Sequence, residues 1–453
     1  ACAKDTGTAT VAMTTNTFFE EFSGTNYWNR RSTASAWGSG TGSARFNSWS
    51  ASGGTIQSLI SYDIPAAAAN TYLTFDHAYA PWSGGNVDSL IVETSSNSGT
   101  SYTILQRLWG GLGAAAGPLN TVYTGGGQFT PTASQWGSKI YLLPVGTNKV
   151  KLRARSGFGN DIWLDNICIQ TLPASTTTTV GLASQGMFIP ANPYWRLLDT
   201  VRIYLARADY PNVIVDSLIT TMGGNAVSNN ALMTRALDGN YYKIVKHRNS
   251  IRTWSATGIA FTRGASSHYN FIQPDGQAYG NNQAVVSSSP LYRGMFSGDI
   301  DNDGFIDGFD LLRIDNDAAI FAGGYIQTDI TGDMFCDGTD FAMADNNAAN
   351  FVQEVAPPGA EPLPVPNVQE LEKQLATEND AAVREKISTA IRLAKEQVSN
   401  SSETKKRMSY EDFLNLRNPD RSKMNKTSVQ NDRSQQSVKI EYPELIGVPV
   451  GEK

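Results

Sequence analysis

The chain has 453 residues and a formal net charge of -6, a length at which two to four modules are expected and a real core can be buried. Charged residues make up only 17%, and a sequence pI of about 5.3 offers no basic face, which argues against nucleic acid as a partner. No apolar run long enough for a transmembrane segment occurs, and the N-terminus lacks a charged stretch followed by an apolar one, so if the protein is exported this is expected to be its mature form.

Residues 1–172 read as short strands, among them 71–78 (TYLTFDHA), 88–94 (DSLIVET), 101–108 (SYTILQRL), 139–143 and 150–155, with Ser/Gly clusters at 37–43 and 125–127 between them. Alternation broken by such turn signals predicts a β-sandwich. The segments 18–24 (FFEEFSG), 73–105 and 134–167, the last with the run GFGNDIWLDNI, resemble the jelly-roll modules, related to MAM and carbohydrate-binding domains, of large secreted Bacteroidota proteins. Three cysteines are too few for a disulfide framework or a zinc cluster. Cys2 opens this module and Cys168 lies in its expected last strand. End strands of a sandwich are often neighbours, so one Cys2–Cys168 disulfide is predicted, two small buried thiols being the alternative. Cys336 is then left over, and is expected to be buried rather than reactive.

The stretch 173–181, which begins PASTTTT, lacks apolar periodicity and reads as a linker. Residues 182–293 follow as a second β module. Its strand-like runs 200–206, 213–220, 241–246 and 259–262 suit an immunoglobulin-like sandwich. The segment 240–256 (NYYKIVKHRNSIRTWSA) resembles the immunoglobulin-like module that precedes dockerin-type repeats in such proteins.

Within 294–353 an internal repeat of 30 residues appears: Asp299 matches Asp329, Asp310 matches Asp340, and IDNDAAIF matches ADNNAANF. Asp299, Asp301, Asp303, Asp307 and Asp310 occupy positions 1, 3, 5, 9 and 12 of a twelve-residue loop, with Gly304 at position 6 and Phe305 offering its carbonyl at position 7. That is EF-hand spacing, and hard oxygen donors in this number suit calcium. In the second loop Asp329, Thr331, Asp333, Phe335, Asp337 and Asp340 stand in the matching places. Thr331 replaces an acid or amide there, and Met334 replaces the glycine, so its ion is expected to bind more weakly. Two calcium ions are therefore expected. No helix precedes the first loop, because 292–298 (YRGMFSG) is short and glycine-broken. Loop then helix, twice, with Asp at position 12, resembles a type I dockerin. The resemblance implies docking to a protein partner, but Gly308, Phe309, Gly338 and Thr339 at positions 10 and 11 depart from the usual hydroxyl pairs, which leaves cohesin as a partner in question. Asp315, Asn316 and Asp317, like Asp345, Asn346 and Asn347, stand where an apolar helix is usual and are expected to cap or polarise the helices.

A Pro-rich linker is read at 354–366, and beyond it, in 367–453, about a third of the residues are charged with the signs balanced. A helix is expected from Asn367 to about Val398, and a second, shorter one is signalled by the capping box SYED at 409–412. The last run, 437–450 (SVKIEYPELIGVPV), alternates as an added edge strand would. Catalytic motifs are absent: His77, His247 and His268 are scattered, and Asp76 and His77 near Tyr79 and Trp82 fit a strand end. Glu20, Glu21, Asp161 and Asp165 suit a structural calcium or a sugar-binding edge less well than ordinary strand ends. Trp28, Trp37, Trp49, Trp82, Trp109 and Trp136 are read as core before sugar platform.

The sequence thus points to a mainly β protein: a jelly-roll sandwich, an immunoglobulin-like sandwich, a small α dockerin-like calcium module and a helical and extended tail. The expected role is non-catalytic adhesion or assembly at the cell surface, with other protein subunits as partners. The alternative is a carbohydrate-binding accessory fragment of a larger secreted hydrolase, with polysaccharide as the partner.

Overall fold

In a computed structural model, residues 2–3, 27–40, 42–112, 116–123, 126–190, 194–222 and 225–360 are described, and they are mainly β. The segment 18–24 with Glu20 and Glu21, and the expected helices and strand of the tail 367–453, lie outside the described residues.

Among the described residues, ten strands form the first unit: β1 (Cys2–Ala3), β2 (Trp28–Arg31), β3 (Ser43–Phe46), β4 (Ile56–Ile60), β5 (Thr71–Ala78), β6 (Ser89–Ser95), β7 (Thr103–Trp109), β8 (Gly137–Leu142), β9 (Lys149–Arg155) and β10 (Ile162–Thr171). One sheet runs β2-β3-β10-β5-β8 with β1 added on β10, and the other runs β4-β9-β6-β7. Their inward residues share one core, in which Leu73, Phe75 and Leu164 of the first sheet meet Leu90, Val92 and Leu152 of the second. Each such side chain contributes about 1.5–3 kcal/mol by leaving water. This is a β-sandwich, and the expected strand at 71–78 coincides with β5. The outer faces of β5 and β10 are covered too, because Trp163 and Ala78 pack beneath Ala36, Phe129 and Trp136. β1 sets Cys2 directly across from Cys168. Cys168 is disulfide-bonded, whereas Cys336 is free and buried.

The second unit comprises β11 (Thr176–Gly181), β12 (Phe188–Ile189), β13 (Tyr194–Trp195), β14 (Thr200–Arg207), β15 (Ile214–Thr221), β16 (Ala231–Met233), β17 (Gly239–His247), β18 (Ser250–Trp254), β19 (Ile259–Phe261), β20 (Ser267–Asn270), β21 (Ala284–Ser288) and β22 (Leu291–Gly294). A sheet β15-β14-β17-β18, with β19 on β17, faces the sheet β16-β11-β20 across a core that includes Val180, Trp195, Ile203, Val245 and Phe271. The linker expected at 173–181 is corrected here, since Thr176–Gly181 is a central strand, antiparallel to β16 and parallel to β20. Thr176, Thr178 and Val180 alternate as buried positions along it, with Gly181 buried at its end. Threonine is β-branched and fits a pleated surface, but two hydroxyls at inward positions hide the alternation from a reading based on apolarity.

The two sandwiches are joined by fixed contacts. The buried Arg263 guanidinium donates to the carbonyls of Pro173, Ala174 and Ala236 at 2.6 to 2.8 Å and lies 5.2 Å from the Tyr72 ring centre. Arg207 stacks 4.0 Å over Trp37, and Tyr210 donates its hydroxyl to the Trp37 carbonyl at 2.9 Å.

After β22 the chain forms two loop-helix units, with α1 (Gly308–Ala319) and α2 (Gly338–Ala349). The Pro-rich stretch read as a linker from residue 354 is packed at its start, where Ala356 and Ala360 lie against the cluster of Tyr204, Ile244 and Trp254. That position is again corrected: Ala356 and Ala360 flank Pro357 and Pro358 and pack against this cluster, which composition alone does not show.

Candidate metal centre and its junction

Each loop runs into its helix through the same local device. Asp307 caps α1 by accepting from the Phe309 N–H at 2.9 Å, and Asp310 accepts from the Asp307 N–H at 2.9 Å. Asp337 and Asp340 repeat this at α2, with 2.7 Å to Thr339 and 2.9 Å between them. Both are capping boxes. The acid at position 12 also closes its loop. Asp310 Oδ1 accepts from Ile300 and Asp301 N–H at 2.7 and 3.2 Å, and Asp340 Oδ1 accepts from Ile330 and Thr331 N–H at 2.8 Å.

The repeats are zipped crosswise. Phe305 bridges Gln353, which leaves α2, and Phe335 bridges Gly323, which leaves α1. Behind them Ile300, Ile306, Leu311, Ile314, Ile330 and Ala344 form one core with Cys336. Burial pushes the Cys336 thiol up to about 12, the mark of an inert thiol.

In the first loop the ligand atoms of Asp299, Asp301 and Asp303 all lie within 4.8 Å of one another, the one such acidic trio among the described residues. Asp299 is only 2% exposed, and its Oδ1 is buried with no hydrogen-bond partner. Burial first, and then repulsion from Asp310, Asp303 and Asp301, hold the Asp299 carboxyl well above the usual carboxylate range. Asp310 is raised for the same two reasons, burial and the nearby Asp301. A divalent cation answers both costs at once, because it supplies the missing partner and screens the repulsion. The donor set is all oxygen, and Gly304 turns at φ 91° as position 6 requires. The residues present therefore fit calcium.

The second loop is built differently. Asp329 turns its carboxylate onto its own loop, accepting from Gly332, Asp333 and Met334 N–H at 2.7 to 3.2 Å. The Arg248 guanidinium lies 3.8 Å from Asp329 Oδ2. Met334 takes φ 75° where glycine is usual, a strained conformation for a bulky residue. Thr331 Oγ1 is buried without a partner and is the neutral donor at position 3.

A group of residues that no spacing rule singled out joins both loops to the second sandwich. The hairpin β17–β18 turns at Arg248 and Asn249. On one side Asn302 Nδ2 donates to the Arg248 carbonyl at 3.0 Å, and Gly298 N–H to the Asn249 carbonyl at 2.7 Å. On the other side Arg248 Nη2 and Asn249 Nδ2 donate to the Asp329 carbonyl at 3.0 and 2.9 Å, while Arg248 Nη1 reaches the Ile326 carbonyl. Arg248 Nε pairs with the buried Asp199 at 2.8 Å, which His247 Nε2 approaches to 3.1 Å and to which Tyr325 donates its hydroxyl. Burial alone would raise the Asp199 carboxyl; His247 and Arg248 outweigh it and hold the group well below the usual carboxylate range. Two residues beyond Asn249, Ile251 enters the core of the loop-helix unit. Glu354 closes the far side by accepting from Arg252 Nε at 2.6 Å and Trp254 Nε1 at 2.5 Å.

Two of the acidic and amide residues of the helices, Asn347 and Asp317, make tertiary contacts rather than caps, which corrects the expectation for these two. Asn347 is buried and donates to the Ser297 carbonyl and to Gln185 Oε1, both at 2.7 Å, and Asp317 accepts the Thr328 hydroxyl at 2.5 Å. A polar side chain mid-helix is stable in a core when its donors are met.

The remaining candidates are structural. Asp76 accepts from Trp37 Nε1, Ser138 and Asn166, and burial raises its carboxyl. His77 Nδ1 lies 2.9 Å from the Gly137 carbonyl, and burial lowers its pKa to about 3. Asp161 holds Arg45, Gln128 and the Trp49 N–H, and Asp165 holds the Ala36 N–H. Trp28 and Trp136 are core, whereas Trp109 is 45% exposed. His268 meets the Thr179 hydroxyl at 2.9 Å.

No family model matches the sequence, and no curated protein matches it. Among solved structures, the chain is similar to a type II cohesin-X-dockerin complex from Acetivibrio cellulolyticus, a C-terminal interface mutant, at 13% identity and a TM-score of 0.25, covering 38% of this chain and 94% of that one. It is also similar to the K3 cleaved adhesin domain of Lys-gingipain from Porphyromonas gingivalis w83, at 19% identity and a TM-score of 0.22, covering 29% of this chain and 74% of that one. Superpositions this loose leave the function to be argued from the site. No helix among the described residues is long and apolar enough to cross a membrane.

Proposed function

We propose that this chain is a non-catalytic, extracellular adhesion or assembly protein in which two calcium ions, a tight one in the first loop and a weaker one in the second, lock the loop-helix module onto the preceding sandwich. The observation that carries this reading is the turn at Arg248 and Asn249, which is hydrogen-bonded to both loops at once. An ion that orders either loop also orders the carbonyls and amides that grip the turn. Calcium binding and rigidity of the junction are then one equilibrium, as a surface protein under load requires. The dockerin-like repeat is here a brace within the chain. Amide exchange of residues 247–251 and 294–353 tests this: calcium is expected to slow both segments together, and slowing confined to the loops would refute the coupling.

The Cys2–Cys168 disulfide belongs to the same reading, as a staple of the first strand suited to an oxidising exterior. Peptide mapping without reductant is expected to recover Cys2 joined to Cys168 and Cys336 as a thiol. Reduction is expected to cost roughly 2–5 kcal/mol. The carbohydrate-binding alternative has less support. Trp28 and Trp136 are buried, Trp37 lies under Arg207, and Trp49 and Trp82 are half-buried against each other at 6.4 Å.

A further inference from the structure

Around the second loop the loop-helix module presents apolar side chains to water. Ile320 is 75% exposed, Phe321 72%, Met334 40% and Phe335 57%. The two segments that carry them are joined along the backbone, because Gly323 bridges Phe335 and the Gly324 N–H donates to the Met334 carbonyl at 2.8 Å. Phe321 and Met334 hold φ of 48° and 75°, conformations that bulky residues adopt at a cost and that recur at functional surfaces. Of the 20 exposed large hydrophobic residues among the described ones, six fall between Leu312 and Phe351, and such concentration marks an interaction site.

The ground around this patch is acidic. Residues 294–360 hold 13 Asp and Glu against Arg313 alone, whereas residues 1–293 hold 20 Lys and Arg against 14 Asp and Glu. Two divalent ions leave the module strongly negative. Its occupant should therefore be basic and carry apolar anchors. The chain contains such a segment, residues 405–426 (KKRMSYEDFLNLRNPDRSKMNK), with seven Lys and Arg against three Asp and Glu, and with Met408, Phe413, Leu414 and Leu416 among them.

We propose that residues 405–426 dock on the surface formed by Ile320, Phe321, Met334 and Phe335 of the same chain. The apolar anchors cover the patch, and the basic residues lie over the Asp333 and Asp337 side of the loop. Attachment within one chain gives an effective concentration on the order of millimolar, which favours the chain's own segment over a second copy.

Carbodiimide coupling of the full-length protein in calcium, followed by peptide mapping, tests this by joining lysines to carboxylates in direct contact. Lys405, Lys406, Lys423 or Lys426 is expected to couple to Asp317, Asp333 or Asp337 in monomeric protein. The yield should not depend on dilution, and should fall about threefold or more in roughly 0.5 M salt as the charges are screened. Ile320→Ser with Phe321→Ser, both at exposed positions outside the two loops, is expected to lower the yield similarly while an unchanged calcium response reports an intact module. The proposal is overturned if the couplings are absent, map to the sandwiches, occur only in covalent dimers, or persist in the double variant.

Discussion

In excess calcium the unit containing the second sandwich and the loop-helix module is expected to unfold about 5–10 °C higher than in EDTA. An ion present at about a hundred times its Kd adds roughly 2.7 kcal/mol, and a unit of this size gains about 2–4 °C per kcal/mol. Scanning calorimetry reads the difference directly, and superimposable transitions would remove calcium from the account. Variants locate the ion. Asp299→Asn deletes a buried charge whose Oδ1 has no partner, so it is expected to raise the transition in EDTA and to abolish most of the gain from calcium. Asp310→Ala is expected to lose stability even in EDTA, by about 2 kcal/mol or more, since the amides of Ile300, Asp301 and Asp307 lose their acceptor. Thr331→Asp adds a charged ligand to the second loop and is expected to tighten its ion. A drop in calcium affinity for that variant would show that the second loop does not use EF-hand geometry.

The second large effect is expected at Arg248. Arg248→Ala leaves Asp199 buried beside His247 and Tyr325 without its guanidinium, and strips a donor from the carbonyls of Ile326 and Asp329. Removing one partner of a buried pair costs about 3–5 kcal/mol. The loss should be accompanied by weaker calcium binding in the second loop, because the Asp329 carbonyl is part of its entry. Denaturant unfolding and calcium titration of the same variant separate the two effects. A change under about 1 kcal/mol would mean that the pair does little more than an exposed salt bridge does.

The two acidic loops are legible in the sequence because a chelating pattern of this kind is local. Twelve consecutive residues supply every side chain, and a 30-residue repeat supplies the pattern twice. The strands of the first sandwich are legible for a similar reason, since period-two alternation depends only on neighbours in sequence. The threonine strand β11 is not, because β-branching rather than apolarity fills its inward positions. The junction is not legible either: Asp199, Arg248, Asn302, Tyr325 and Glu354 are ordinary polar residues in sequence. A pair of polar residues at the tip of the β17–β18 hairpin is the one faint signal.

By itself, then, the sequence determined the spacing of the acidic loop residues and the β character of the chain, both set by short-range pattern. Only the tertiary structure decided which loop leaves a buried carboxylate oxygen without a partner, which one turns its first aspartate onto its own amides beside Arg248, and that the module is bound to the sandwich rather than tethered to it. The junction depends on groups about 50 to 160 residues apart, such as Asn302 with Arg248 and Asn347 with Gln185. Buried polar groups must find partners wherever the fold brings them, and no local pattern specifies that pairing.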